Sequence, residues 1–304
     1  MTKKKVAVLL AVYNGIEWIE AQINSILKQE NISLHLFISV DQSSDNSQQW
    51  CQSLAEKNDH ISLLPSEKRY GSAAANFFRL IRAVDFSYFD YIALADQDDI
   101  WNHDKLSHAI AKMKAHHYDG YSSNVIAFWP DGRQKIIKKD YPQVEWDYLF
   151  ESPGPGCTFV LTHTLANELK QFILQNTAKI NKVWVHDWFI YAYARAHNYH
   201  WFIDSKPSLR YRQHNHNEIG ANTGYSALIQ RIKFIASGKA MTQAILLTRL
   251  LKLEKNNFVK KWYQHNRIGM LYLMTKANKC RRKPSHRLFF TFSCFLLLII
   301  GKHK

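Results

Sequence analysis

Tyr91-Ile92-Ala93-Leu94-Ala95-Asp96-Gln97-Asp98-Asp99-Ile100-Trp101 is a short apolar run that ends on three carboxylates in four positions. Its aromatic and aliphatic half reads as a buried strand. Carboxylates at the end of such a strand are costly unless something positive meets them there. Acidic residues after a strand commonly serve as turn or helix-cap groups. The other reading is a divalent cation held by hard oxygen ligands, with a phosphate completing its shell. The rest of the chain favours the cation.

Upstream of this block, apolar runs alternate with amphipathic stretches. Residues 6–12 predict a strand, and 15–29 a helix with Ile16, Ile19, Ile23, Ile26 and Leu27 on one face. Residues 34–40 predict a second strand, 47–58 a helix, 61–64 a short third strand, 72–84 a helix and 91–95 a fourth strand. This β-α-β order predicts a mostly parallel α/β sheet wound with right-handed crossovers. Ligands of such sheets bind beyond the carboxyl ends of the strands. Tyr13-Asn14, Asp41 and the 96–99 cluster all fall there. Downstream, 102–117 predicts a helix, 125–129 and 158–162 strands, and Gly154-Pro155-Gly156 a rigid turn. Residues 203–210, with Pro207, read as an edge segment.

Charge divides the chain into a body, 1–225, and a basic helical extension, 226–304. The extension carries 17 Lys and Arg against one acid, Glu254, while the body has 23 basic and 24 acidic residues. Such asymmetry implies a polyanionic partner, nucleic acid or anionic lipid. Here the basic residues flank an apolar run and form no recognition motif, so no nucleic-acid partner is expected. Arg281-Arg282-Lys283 precedes the apolar stretch 288–300, which Lys302 and Lys304 follow. That stretch falls short of the roughly 20 residues a spanning helix needs. It reads as an interfacial or re-entrant helix with basic anchors on an anionic membrane, a buried core helix being the alternative. Residues 281–304 are therefore expected to be removable without loss of donor binding. Lys3-Lys4-Lys5 and the following apolar run imitate a signal peptide, but Tyr13-Asn14-Gly15 breaks the run, so it reads as a first strand. The expected location is the cytoplasmic face of the cell membrane. Cys51, Cys157, Cys280 and Cys294 have no paired spacing, which indicates neither a disulfide framework nor a zinc site.

Five groups carry the chemistry. Leu10-Ala11-Val12-Tyr13-Asn14-Gly15 runs from a strand into a helix start, whose free amides suit a phosphate or a ring edge. In Val40-Asp41-Gln42, a strand-end carboxylate can accept from the imide N–H of a pyrimidine. Arg69-Tyr70-Gly71-Ser72-Ala73-Ala74-Ala75-Asn76 sets a cation and a glycine before a small-residue helix. The fourth group is the acidic cluster. The fifth comprises Val185-His186-Asp187-Trp188 and Tyr211-Arg212-Gln213-His214-Asn215-His216-Asn217.

In this order the set resembles the family-two glycosyltransferases, inverting nucleotide-sugar enzymes with the GT-A fold. The Asp-Gln-Asp-Asp-Ile-Trp block, Gly156-Cys157-Thr158, His186-Asp187-Trp188 and Arg212-Gln213-His214 look most like the rhamnosyltransferase-like branch of bacterial polysaccharide synthesis. The resemblance covers residues 5–220. It implies a nucleoside diphosphate sugar donor, with dTDP-rhamnose the best single guess, and a saccharide acceptor carried on a lipid. It assigns Ala11, Tyr13, Asn14, Asp41, Arg69, Gly71, Asn76, Asp96 and Gln97 to the donor. Asp98, Asp96 and His214 would hold a divalent metal, Mg2+ or Mn2+. Asp187 matches the catalytic base, with Gly156, His186 and Trp188 on the acceptor side. One departure is Val40, where the family often carries a first acid. A UDP-sugar donor of another hexose, or a non-catalytic sugar-nucleotide scaffold, are the competing readings. A nucleotidyltransferase would need a glycine- and lysine-containing loop after the first strand, and Val12-Tyr13-Asn14-Gly15 has one glycine and no lysine.

Overall fold

A computed structural model describes residues 3–65, 69–214 and 237–300. Its large sheet contains β1 (Lys4–Val12), β2 (Ile32–Val40), β3 (Ile61–Leu63), β4 (Tyr91–Ala95), β6 (Gly120–Ser123), β9 (Val160–Thr162) and β10 (Trp201–Asp204), ordered β10-β6-β9-β4-β1-β2-β3. Only β9 runs antiparallel to its neighbours, β4 and β6. A smaller sheet, ordered β5-β11-β7-β8, joins β5 (Ile100–Trp101), β7 (Val125–Phe128), β8 (Gln134–Ile137) and β11 (Leu209–Arg212). Helices α1 (Ile19–Leu27), α2 (Ser47–Ala55), α3 (Ala73–Ala83), α4 (Lys105–His116), α5 (His163–Gln175), α6 (Thr177–Ile180) and α7 (His186–Ala196) complete the body.

The unbroken apolar run of β1 follows from burial on both faces, as parallel strands require. Ala7, Leu9 and Ala11 face one apolar cluster with Phe77 and Phe78 of α3, Leu169 of α5 and Phe189 of α7. Val6, Val8, Leu10 and Val12 face the other, with Ile19 and Ile23 of α1 and Leu106 and Ile110 of α4. Strand β1 lies between β2 and β4, so the chain departs from it in two directions. A crevice opens beyond the carboxyl ends at that point.

The elements read from the sequence appear in the predicted order, with β5, β6 and β8 unanticipated and three further differences. Helix α1 starts at Ile19 rather than residue 15, because side chains of the 43–47 turn claim the backbone N–H groups of Asn14, Gly15 and Ile16. The 203–210 segment is split between the sheets: β10 is the edge of the large one and β11 an inner strand of the small one. Pro207 sits in the link, where its carbonyl accepts from Asn102 Nδ2 at 2.9 Å. Third, 156–158 is a 3-10 turn, and the strand begins only at Val160.

The division placed between residues 225 and 226 lies outside the described residues. Beyond it come α8 (Lys239–Leu250), α9 (Arg267–Thr275), α10 (Ala277–Cys280) and α11 (Pro284–Ile300). Their inward side chains, among them Leu247, Leu273, Cys280, Phe290, Cys294 and Leu297, share one apolar cluster with Trp262 of the α8–α9 link and with α3 and α7. The reading of Arg282 as an exposed membrane anchor is corrected: it is 3% exposed. Its Nη1 lies 3.2 Å from Asp147, its Nη2 donates to the Ser152 carbonyl at 2.6 Å, and its backbone N–H donates to Glu151 at 2.7 Å. A guanidinium beside the buried Asp147 and the half-buried Glu151 is held by them, not by lipid. Among the described residues no helix is long and apolar enough to cross a membrane.

Candidate active site

At the carboxyl edge of the large sheet, four loops and two helix starts converge. The tip of β1 is fixed by its neighbours. Gln97 accepts from the Tyr13 N–H (2.7 Å) and donates to the Tyr13 carbonyl (2.9 Å), clasping the ends of β1 and β4 together. Asn14 adopts a positive φ, 47°, and its Oδ1 accepts from the Ser44 N–H at 2.8 Å. The amides here, expected to be free for a phosphate, are bonded to Ser43, Ser47 and Asp45. The Tyr13 ring is exposed to solvent, as is Ile16 beyond it.

Asp41 is buried at the end of β2. Its carboxylate accepts from the backbone N–H groups of Gln42 (2.8 Å), Tyr70 (2.7 Å) and Gly71 (2.7 Å). It thereby shapes the turn that carries exposed Arg69. Gly71 has φ +80°, a backbone conformation that favours glycine. Two of the residues assigned to the donor do other work. Asn76 is buried, and its Nδ2 donates to the carbonyls of Ser39 (3.0 Å) and Val12 (3.3 Å). That amide ties α3 to two strands, because unpaired strand-end carbonyls would be costly to bury. Ala11 is buried inside the β1–β2 ladder opposite Ser39.

The acidic block divides by burial. Asp96 and Gln97 are partly exposed, Asp98 and Asp99 buried. His214 Nε2 lies 2.7 Å from Asp98 Oδ2, although 116 positions separate the two residues. Pairing of β5 with β11 brings them together: Ile100 opposes Arg210 and Trp101 opposes Leu209, so the chain after β11 emerges beside the acids. Arg212 locks this arrangement, donating from Nε to the Asp98 carbonyl (2.9 Å) and from its N–H to Asp99 (3.2 Å). Trp18 stacks on the His214 ring at 4.0 Å, a contact with no signature in the sequence. Asn215, His216 and Asn217 lie outside the described residues. Asp98 and His214 offer a carboxylate and an imidazole, donor types that suit a divalent cation. Ligand atoms of Asp96, Asp99 and Cys157 also lie within 4.8 Å of one another. Burial pushes the Cys157 thiol and the Asp99 carboxyl well up, which disfavours the charged forms of those two groups. Beneath them, Lys105 is buried on the Trp101 ring, and burial lowers its ammonium to about 7. Trp101 ends β5 and Lys105 opens α4, so no periodicity in the sequence marks this contact.

Helix α7 begins at His186, with Asp187 in its first turn. Burial raises the Asp187 carboxyl to about 6, against opposing pulls from the Trp188 N–H and the nearby Lys139 ammonium. His186 stacks on Phe77 at 4.2 Å, and burial lowers its imidazole to about 3, which keeps it neutral. A Cβ added to Gly156 would overlap the His186 ring and press on Asp187, so the glycine is required for the turn to close over this pair. Trp188, assigned to the acceptor, is instead a packing residue. It is 7% exposed and its indole N–H donates to the Tyr148 carbonyl at 2.9 Å.

Comparison with known proteins places these features in a family. Residues 7–184 match the family model for glycosyl transferase family 2. The dTDP-rhamnosyl transferase RfbG of Shigella flexneri is 38% identical over 293 residues, 96% of this chain and 99% of that protein. The Escherichia coli UDP-Glc:alpha-D-GlcNAc-diphosphoundecaprenol beta-1,3-glucosyltransferase WfgD is 32% identical over 53% of this chain and 62% of its own length. Among solved structures, S. aureus TarS 1–349 with UDP-GlcNAc superposes with a TM-score of 0.55 at 14% identity, covering 98% of this chain and 89% of that one. The mannosyltransferase PcManGT of Pyrobaculum calidifontis, solved with GDP-Man and Mn2+, gives 0.53 at 13% identity over 98% and 86%. With the family's model spanning more than half its length and a relative matching nearly all of it, the chain is a member of glycosyl transferase family 2, a glycosyltransferase on the GT-A fold.

Proposed function

We propose that this chain transfers rhamnose from dTDP-rhamnose, with inversion, to a lipid-linked saccharide at a membrane rich in anionic lipid. The observation that carries the reading is the meeting of Asp98 with His214 at 2.7 Å, across 116 positions of the chain, with Asp187 in the first turn of α7 as the candidate base. The near-full-length likeness to a dTDP-rhamnosyl transferase supports the choice of donor. In the reaction the acceptor oxygen bonds to the anomeric carbon while the bond to the diphosphate breaks, and dTDP leaves with that electron pair. Asp187 takes the hydroxyl proton, general-base work worth roughly 10²–10⁴-fold. A lone base suffices, because no enzyme-bound sugar intermediate forms. Asp98, Asp96 and His214 would hold a divalent cation, Mg2+ or Mn2+, which when bound supplies positive charge to the departing diphosphate. Asp41 would set the Arg69–Gly71 turn against the nucleotide, with Tyr13 exposed beside it.

The test is a panel of dTDP- and UDP-sugars supplied to the purified full chain, with and without EDTA. Binding of dTDP-rhamnose above the UDP-sugars, lost on chelation and in Asp98→Ala, is the expected outcome. Preference for a UDP-sugar would refute the donor, and chelator-insensitive binding would refute the cation.

Helix α11 carries the membrane reading. Phe290, Cys294 and Leu297 pack inward, while Leu288, Phe292, Phe295 and Ile299 form an exposed stripe at i, i+4, i+7 and i+11. Exposed Arg267 and Ile268 open α9, which packs against α11. An apolar helix face on a strongly cationic module complements an anionic bilayer, each basic group adding about 1 kcal/mol near the surface. Leu288→Glu with Ile299→Glu leaves the buried face intact and is expected to cut sedimentation with phosphatidylglycerol vesicles more than about tenfold. Unchanged sedimentation would remove α11 from the membrane contact.

A further inference from the structure

Where the extension docks on the body, basic side chains gather beside Asp187. Lys139 belongs to the body and follows β8. Asn124, buried and next after β6, fixes its backbone at the carboxyl edge of the sheet: the Asn124 Oδ1 accepts from the N–H groups of Lys139 (2.6 Å) and Asp140 (3.2 Å). The other cations lead into α11. Arg281 lies 3.7 Å from Glu151, and the Lys283 ammonium lies 5.9 Å from the centre of the Tyr141 ring. His286 stands in the first turn of α11. The 151–156 loop joins these groups to the base. Glu151 and Ser152 hold Arg282, and a Cβ built on Gly156 would lie 3.4 Å from the Asp187 Cβ.

Two of the cations are uncommitted. The Lys139 and Lys283 ammoniums make no hydrogen bond or ion pair among the described residues, and the buried Arg281 Nε has no hydrogen-bond partner there. The charges press on one another. Burial, then Arg281, Lys283 and Lys139, hold the His286 imidazole down at about 4 against the pull of Glu151. Burial lowers the Lys139 ammonium, and Arg282 and Arg281 lower it further, opposed by Glu151 and Asp187. Like charges gathered by a fixed framework attract an anion, which relieves their repulsion. The exposed apolar stripe of α11 says which kind. It starts at Leu288, five residues after Lys283, so about 7 Å of helix rise separates cations from apolar surface. A negative head followed by a hydrocarbon chain matches that order.

We propose that Lys139 and Lys283, with Arg281 and His286 beside them, bind the phosphate that joins the acceptor's saccharide to its lipid. The inference rests on the reading of Asp187 as the base and of the acceptor as lipid-linked. Lys139 decides between that phosphate and a bilayer headgroup. It belongs to the body and acts on the Asp187 carboxyl, so the anion it takes sits beside the reacting hydroxyl. The saccharide then lies between the phosphate and Asp187, while the lipid runs out along the stripe that Leu288 begins. Charge-assisted hydrogen bonds from two ammoniums supply the recognition.

The probes are N-acetylglucosaminyl octyl diphosphate and octyl N-acetylglucosaminide, titrated by calorimetry into the full chain with dTDP and Mg2+ saturating the donor side. The diphosphate is expected to bind more than about tenfold tighter than the plain glycoside. Lys139→Gln with Lys283→Gln should bring that ratio near one. Lys139→Arg with Lys283→Arg should keep most of it, since charge carries the difference. Failure of the diphosphate probe to bind, a ratio near one in the unaltered chain, or a ratio that the double Gln variant leaves unchanged overturns the site. An unchanged ratio joined to weaker sedimentation of that variant with phosphatidylglycerol vesicles would assign these lysines to bilayer headgroups instead. Asp187→Asn should keep the ratio while losing transfer. Full transfer by Asp187→Asn would remove the base, with the ratio still judging the phosphate site.

Discussion

Replacing Asp187 with Asn is expected to lower turnover by roughly 10²–10⁴-fold while donor affinity stays unchanged. The Asn side chain keeps the shape of the carboxyl and can still accept from the Trp188 N–H, so α7 starts as before. What it loses is the ability to take a proton. The pH dependence follows from the same group. Burial holds the Asp187 carboxyl at about 6 rather than its ordinary 3.8. Below about 6 it is protonated and cannot act as a base, so kcat/KM should fall as pH drops through 6, well above the range of an exposed aspartate. The sign for stability is opposite. A raised carboxyl favours the folded state while protonated, and this contribution fades as pH rises through 6. Ionising Asp187 in the folded chain therefore costs up to about 3 kcal/mol near neutral pH. Asp187→Asn should raise Tm by several degrees at about pH 8 and hardly at all at about pH 4, the pattern of a site that gives up stability for function. Full activity in the variant, or an acid limb near 4, would show that another group takes the proton.

Arg282→Met is expected to destabilise the whole chain by about 3–5 kcal/mol. Asp147 has no exposed surface and depends on Arg282 and Arg195, at 3.2 and 3.1 Å, with the Tyr191 hydroxyl donating at 2.9 Å. Burial already pushes its carboxyl up despite both guanidiniums. Removing Arg282 leaves Asp147 with Arg195 and the Tyr191 hydroxyl only and takes one guanidinium from Glu151, and an under-compensated buried charge is among the largest single-site penalties. Urea denaturation should show the midpoint falling sharply. Adding Asp147→Leu to Arg282→Met should recover part of the loss, since an apolar pair replaces an ionic one. Membrane release without loss of stability would contradict this account. Deleting residues 281–304 is for the same reason no clean test of membrane anchoring. It strips Phe290, Cys294 and Leu297 from the core together with Arg282. Point changes on the outer stripe of α11 separate the two effects, and deletion does not.

Period-two and period-3.6 burial patterns are local properties, so the order of the first four strands and their helices was legible from the chain alone. So was the position of the Asp96–Asp99 block at a strand end, because any apolar run that stops on charge marks where the core stops. The helical character of 284–300 was legible too. Its double duty, one face in the core and one open, was not, since hydrophobicity does not say which of two apolar faces finds a partner.

The sequence by itself determined a wound α/β sheet, the edge where its ligands gather, and the Asp, His and Arg residues available there. Only the tertiary structure decided who meets whom: His214 with Asp98 through the β5–β11 pairing, Asn76 with strand carbonyls instead of a ligand, Trp188 with Tyr148, Arg282 with Asp147. The physical reason is one of range. Burial is imposed on a side chain by its immediate pattern, whereas the partner that makes a buried polar group tolerable is supplied by chain a hundred or more residues away, for His214 and Asp98 a separation of 116.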